Sequence, residues 1–220
     1  MSGKLIVIEG ADGAGKATQT KLLVERLRLE GLLVETLEFP RYDDTFFGGY
    51  VREWLDEKHG NFVDLDPRLA SILFAGDRLE SRDLITGWLS EGKNVILDRY
   101  VSASMLHQGA KITDVGTRGA FLLWLQHLEY DVLKLPRPDL VVYLDVPAEM
   151  RHALLATDER KLSLGHTETD ADYQVAVQNT AQQIVELEKW SVISCLVEEK
   201  LRSKNNINTE LYGIVRPLLN

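Results

Sequence analysis

The stretch Gly10-Ala11-Asp12-Gly13-Ala14-Gly15-Lys16 constrains this chain more than any other feature. It follows the apolar run Leu5-Ile6-Val7-Ile8 and opens a segment with Leu22, Leu23 and Leu27 on one helical face. A G-x-x-x-x-G-K pattern between a strand and a helix calls for a tight turn aimed at a helix N-terminus. Glycines let successive backbone N–H groups turn inward. The helix start adds partial positive charge and Lys16 adds a full one. The result is a cradle for nucleotide phosphates, with Gly10, Ala11, Gly13, Ala14, Gly15, Lys16, Ala17 and Thr18 as candidate contacts. A ligand-free Gly-rich turn is the structural alternative.

The rest of the chain repeats this strand–helix alternation. Strands are expected at Lys4 to Glu9, Leu33 to Phe39, Asn94 to Asp98, Asp139 to Asp145 and Val192 to Val197. Helices are expected from Gly15 to about Glu30, stopped by Gly31, and from about Asn208 to Leu219. A long helix to about Ser90 is opened by Asp66-Pro67, a cap followed by a first-position proline. Near-continuous apolar strands mark a parallel sheet covered on both faces. The expected architecture is therefore α/β: a five-stranded parallel sheet flanked by helices in three layers, one domain over residues 1–220. Residues 156–172 are polar, charged and without period. They read either as a solvated loop or as a lid that closes over a site.

Charge and cysteine content narrow the function. Lys and Arg total 25 against 34 Asp and Glu, a net charge of -9, which disfavours grip on a nucleic-acid backbone. The single cysteine, Cys195, excludes an intramolecular disulfide and a multi-cysteine zinc site, and is expected as a small buried hydrophobe. No run approaches the roughly 20 apolar residues of a membrane span, and Leu5 to Ile8 is too short for a signal segment. A reduced, cytoplasmic setting is expected, with no membrane partner.

Several side chains gather around the phosphate loop in this reading. The loop pattern wants Ser or Thr after the lysine as a Mg²⁺ ligand, but Ala17 stands there and Thr18 lies about 100° further round the helix. Asp12 sits inside the loop, either bracing the turn or facing an acceptor or a metal-bound water. Asp98-Arg99-Tyr100 ends the third strand, where ligands of open α/β sheets collect. There Asp98 can orient Mg²⁺, and Arg99 can stabilise a transferring phosphoryl group. On the long helix, Phe74 and Arg78 share a face at i,i+4, offering stacking and donors to a nucleobase; a core Phe with a solvated Arg is the alternative. Arg78 and Arg82 repel each other unless something else engages them. Phe39-Pro40-Arg41 leaves the second strand, with Arg41 a candidate for a substrate phosphate.

Taken in order, Gly10 to Lys16, Phe39-Pro40-Arg41, Phe74 with Arg78, Asp98-Arg99-Tyr100 and Ser102 to Gly109 resemble the thymidylate kinase family of P-loop nucleoside monophosphate kinases. The strand Asp139 to Pro147 resembles the segment before that family's lid. The resemblance implies transfer of phosphate from ATP to dTMP with Mg²⁺, and a homodimer. It implies Phe74 stacking on thymine, Arg78 on its carbonyl edge, and Arg41 and Arg99 on the acceptor phosphate. It places Asp12 and Asp98 around metal and acceptor, and Phe39, Ser104, His107 and Gln108 in the nucleoside pocket. His107 stands where the family commonly has Tyr or Phe against the deoxyribose. The loop has no internal arginine, a pattern that in this family accompanies basic lid residues; Arg160 and Lys161 are the candidates, with Arg151 just before. Competing readings are a kinase for a different nucleotide or deoxynucleoside, and a nucleotide-binding regulator weakened in turnover by Ala17.

Overall fold

The computed structural model describes residues 2–147, 150 and 171–219. Strand β1 (Leu5–Gly10) is buried at every position. It lies at the centre of a five-stranded sheet with β2 (Val34–Glu38), β3 (Asn94–Asp98), β4 (Leu140–Asp145) and β5 (Ser191–Ser194), in the order β2-β3-β1-β4-β5. All four pairings are parallel; Ile6 faces Ile96 on one side and Leu140 on the other.

Alternation along β1 builds two cores at once, since successive side chains leave opposite faces of a strand. Leu5 and Val7 enter a core with Ile85 of α3 (Pro67–Ser90), Leu106 of α4 (Val101–Gly109), Phe121 and Leu125 of α5 (Val115–Gln126), and Val177 and Ile184 of α6 (Ala171–Leu187). Ile6 and Ile8 enter the other, with Leu23 and Leu27 of α1 (Lys16–Leu29) and Leu211 and Val215 of α7 (Lys204–Val215). Each fully buried Ile contributes about 1.5–3 kcal/mol. No described helix is long and apolar enough to cross a membrane.

The long helix starts where the caps place it. Asp66 accepts from the backbone N–H groups of Arg68 and Leu69 at 2.9 and 3.2 Å, Pro67 occupies the first turn, and the helix runs to Ser90.

Two expectations need correcting. The fifth strand does not run from Val192 to Val197: β5 stops at Ser194, and the chain turns into a short antiparallel hairpin, β6 (Leu196–Val197) and β7 (Lys200–Leu201). Glu198 and Glu199 make that turn with positive φ, a task usually given to Asn-Gly, so the turn carries no residue signature. The terminal helix starts earlier than Asn208, because Ser203 caps it by accepting from the Asn206 N–H, and it ends at Val215, before Pro217.

Helix α2 (Phe46–Leu55) was not among the expected elements. Gly48 is there for space: a Cβ on it would lie 2.2 Å from the Arg41 carbonyl oxygen. Thr45 caps α2 through the Gly48 N–H. Most of the lid segment, with Arg151, Arg160 and Lys161, lies outside the described residues, whereas Ala171 and Asp172 already belong to α6.

Candidate active site

The phosphate loop leaves β1 at its carboxyl end and enters α1 through Gly15, whose φ of 83° is left-handed and suits a residue without a Cβ. No side chain caps α1. Its first N–H groups are thus left for a ligand, unlike those of α2, α3, α5 and α7, which Thr45, Asp66, Asp114 and Ser203 cap. The Lys16 ammonium donates to the carbonyls of Gly10 and Ala11 at 2.9 and 3.0 Å. Burial, helped by the nearby Arg99 charge, pushes its pKa down to about 8.

Beside it, Asp98 ends β3 with one carboxylate oxygen, Oδ1, buried and without a hydrogen-bond partner. Burial pushes this carboxyl up to about 6, although Lys16 and Arg99 pull it back. A buried, unpartnered hard oxygen beside the lysine suits a Mg²⁺ ion or its water shell. Among the described residues no group of three His, Cys, Asp or Glu side chains gathers to hold a metal alone. Ala17 has no ligand atom in its side chain.

Arg99 follows with φ 65°, a left-handed backbone for a non-glycine residue and a mark of local strain. Its guanidinium pairs with Asp12 and lies 3.1 Å from His107 Nε2. Burial alone would lower the Arg99 pKa; Asp12, Glu9 and Asp98 more than reverse that, so the cation is held firmly. Glu9 is itself fully buried, accepting from the Gly10 N–H at 2.9 Å and the Ser102 hydroxyl at 2.7 Å. It ties the loop's start to α4.

An adjoining cavity of about 650 Å³, counting its open mouth, has Asp12, Arg99, Phe39 and His107 at its walls. Phe74, Arg78, Ser104 and Gln108 line it too. Phe74 is braced edge-on by Phe62, at 5.7 Å and 84°. Arg78 is neither solvated nor in conflict with Arg82. Its Nε and Nη2 both reach Glu129 at 2.6 Å, Nη2 also reaches Ser104 Oγ at 2.9 Å, and Nη1 reaches the Tyr100 carbonyl at 3.2 Å. Arg82 is engaged separately, by Asp83 and the Leu133 carbonyl. Glu129 sits on a π-helical turn (His127–Val132) and is fully buried. Across the cavity the Tyr173 hydroxyl donates to the His107 carbonyl at 2.9 Å.

Arg41 is placed differently. Its neighbours Pro40 and Tyr42 line the cavity, but its guanidinium is held on the flank by Ser81 Oγ at 3.0 Å and Asp44 at 3.3 Å. Buried Asp77 fixes its backbone by accepting from the Arg41 N–H at 3.0 Å. Reading the sequence missed Glu9, Asp77 and Glu129. Each acts through a partner remote in sequence or through backbone, so no local spacing announces it.

This arrangement brings together the glycine-rich loop with Lys16, the Arg99–Asp12 pair and the cavity lined by Phe74, Arg78 and Gln108. The model of the thymidylate kinase family matches residues 8–206. The thymidylate kinase of Mycobacterium tuberculosis is 38% identical over 146 residues, covering 66% of this chain and 67% of that one. The thymidylate kinase of Thermomicrobium roseum is 34% identical over 197 residues, 86% and 85% of the two chains. A solved thymidylate kinase from Candida albicans superposes with a TM-score of 0.77 over 99% of this chain and 92% of that one; at 22% identity it speaks for the fold alone. The matched span runs from the end of β1 into α7 and takes in every wall of the cavity, and on that ground the chain belongs to the thymidylate kinase family.

Proposed function

We propose that this site, within one kinase domain over residues 1–220, moves the γ-phosphoryl group of ATP onto the 5′-phosphate of dTMP, releasing ADP and dTDP. The observation that carries the base assignment is a donor count. A guanidinium has five N–H donors. Arg78 commits four of them to Glu129, Ser104 and Tyr100, which leaves one on Nη1. On the same cavity, Gln108 Oε1 is a buried acceptor with no partner. One donor and one acceptor on the same cavity complement the 4-carbonyl and N3–H of thymine. Cytosine presents the opposite pair, an amine donor beside a ring acceptor. Phe74, held square by Phe62, supplies the stacking face.

At the other end an acceptor-phosphate oxygen attacks the γ-phosphorus, and the β–γ bridging oxygen leaves with ADP. Little covalent assistance is needed, so alignment and charge dominate. Lys16 and the α1 N–H groups hold the donor phosphates. Arg99, oriented by Asp12 and His107, faces the transferring group. Arg41 reaches the acceptor phosphate on leaving Ser81 and Asp44, and Arg160 and Lys161 supply positive charge from the lid. A bound Mg²⁺ neutralises charge on the phosphate oxygens; Asp98 would hold it directly or through water.

Exposed Phe46 on α2 and Leu69 and Ile72 on α3 support a homodimer packed through helices, and the lone buried Cys195 supports a reducing, cytoplasmic setting.

The test is an acceptor panel with ATP: dTMP, dUMP, dCMP and thymidine. The expected kcat/KM for dCMP is about ten- to a hundredfold below that for dTMP, the worth of a mismatched buried hydrogen bond. Equal use of dCMP would overturn the base assignment. ATP consumption no faster with dTMP than without it would favour the regulator.

A further inference from the structure

Lys111 stands outside the chemistry described so far. It follows α4 by two residues and belongs to neither the phosphate loop nor the cavity wall. Its ammonium donates to the carbonyls of Phe62 and Leu65 at 2.7 and 3.1 Å. The same nitrogen lies 4.6 Å from the centre of the Phe62 ring. Both the backbone and the ring of Phe62 are thus gripped by one side chain.

Phe62 belongs to a one-turn 3-10 helix (Phe62–Asp64) that leads into the Asp66 cap of α3. It is the ring that braces Phe74. Just before Lys111 in sequence, Ser104, His107 and Gln108 of α4 line the same cavity as Phe62 and Phe74. The grip therefore ties the end of α4 to the ring that braces Phe74.

We propose that Lys111 is a positioning residue for the nucleoside: it clamps Phe62 against Phe74 and sets the gap between Phe74 and α4. This rests on the reading that Phe74 receives the base.

The clamp carries a burial cost. Burial pushes the Lys111 pKa from 10.5 down to about 8, although Asp64 on the one-turn helix and Asp66 at the α3 cap pull it back up. From α5, Arg118 donates to the carbonyls of Gly109 and Ile112 on either side of Lys111, adding a like charge nearby. A charge disfavoured by its surroundings is poor stabilisation. The Phe62 carbonyl also accepts from the Leu65 N–H at 3.3 Å, so it keeps a partner without the lysine.

Stability and binding should therefore separate. Lys111→Met keeps the length and removes the charge and its donors. Its thermal midpoint is expected to match or exceed that of the parent, while its Kd for dTMP, measured without ATP, rises about three- to tenfold. Thymidine, which lacks the phosphate, should weaken by the same factor. The Kd for ATP and the kcat at saturating dTMP should hold, and Lys111→Arg should restore most of the dTMP affinity. Phe74→Ala serves as the reference. If Phe74→Ala loses dTMP affinity and Lys111→Met does not, the clamp is wrong. If neither loses it, the base-stacking reading is wrong. If Lys111→Met lowers the thermal midpoint and weakens ATP as much as dTMP, the residue is merely structural and the proposal fails.

Discussion

The two ends of the site are built on opposite principles. At the base end, Arg78 is held by the protein: four of its five donors are spent, one is left, and its charge is matched by a buried carboxylate. At the phosphate end the polar groups are under-committed. Helix α1 has no side-chain cap, Asp98 Oδ1 has no partner and Arg99 sits on a strained backbone. A rigid end suits selection, since only one hydrogen-bonding pattern fits what is left over. An under-committed end suits the proposed transfer, because groups without partners in the protein are free to bond to phosphate oxygens.

Breaking the base end should cost most. Glu129→Ala strands a buried guanidinium without its counter-charge, a loss of about 3–5 kcal/mol in unfolding free energy. Urea titration reads it directly. A loss near zero would mean that Arg78 is not held by the protein, and the contrast would collapse.

Breaking the phosphate end should cost rate and spare the fold. Lys16→Ala is expected to lower kcat/KM by about 10²–10³ with the thermal midpoint maintained. Near-normal turnover would sink the role of the loop. The depressed pKa adds a sign. Between about 8 and 10.5 the unfolded chain holds more protons at this lysine than the folded one. Its burial penalty is thus relieved as pH climbs through that window, and stability gains. The parent should therefore gain stability relative to Lys16→Ala between those pH values.

The smallest effect sharpens the contrast. Ala17→Ser adds a hydroxyl to the under-committed end and should lower the Mg²⁺ concentration for half-maximal rate about two- to fivefold. A titration of rate against free Mg²⁺ at saturating ATP and dTMP that does not move would show that phosphates, water and Asp98 already satisfy the ion.

How much of this was legible in the residues follows the range over which each feature is encoded. Helix Pro67–Ser90 and strand Asn94–Asp98 emerged with their observed bounds, because Asp66-Pro67 and an unbroken apolar run are local signals. Helix α2 stayed hidden because its Gly48 answers to the Arg41 carbonyl, a packing demand that the order of residues does not display. In the site, Phe74, Arg78, Asp12 and Arg99 were picked out by type and position, and His107 and Gln108 through the family resemblance; they share one cavity. Glu129 escaped because it meets Arg78 across 51 residues, and Lys111 because it acts on backbone carbonyls, which carry no side-chain identity. Arg41 shows the converse: its type suggested a phosphate, while its rotamer depends on Ser81 and Asp44.

The position of β1 has a consequence for biosynthesis. It precedes the other described strands, and its neighbours lie far along the chain: Leu5 pairs with Val95, and Ile6 with Leu140. An apolar run such as Leu5-Ile6-Val7-Ile8, without proline and with its edges unpaired, is the kind of segment that self-associates. Both edges wait for partners until β3 has been made, and one edge waits further, until β4 has been made. Helix α1 can fold at once and shield one face through Leu23 and Leu27. The edges have no such cover. During synthesis the strand that unites both cores thus stays open at an edge long after it has been made.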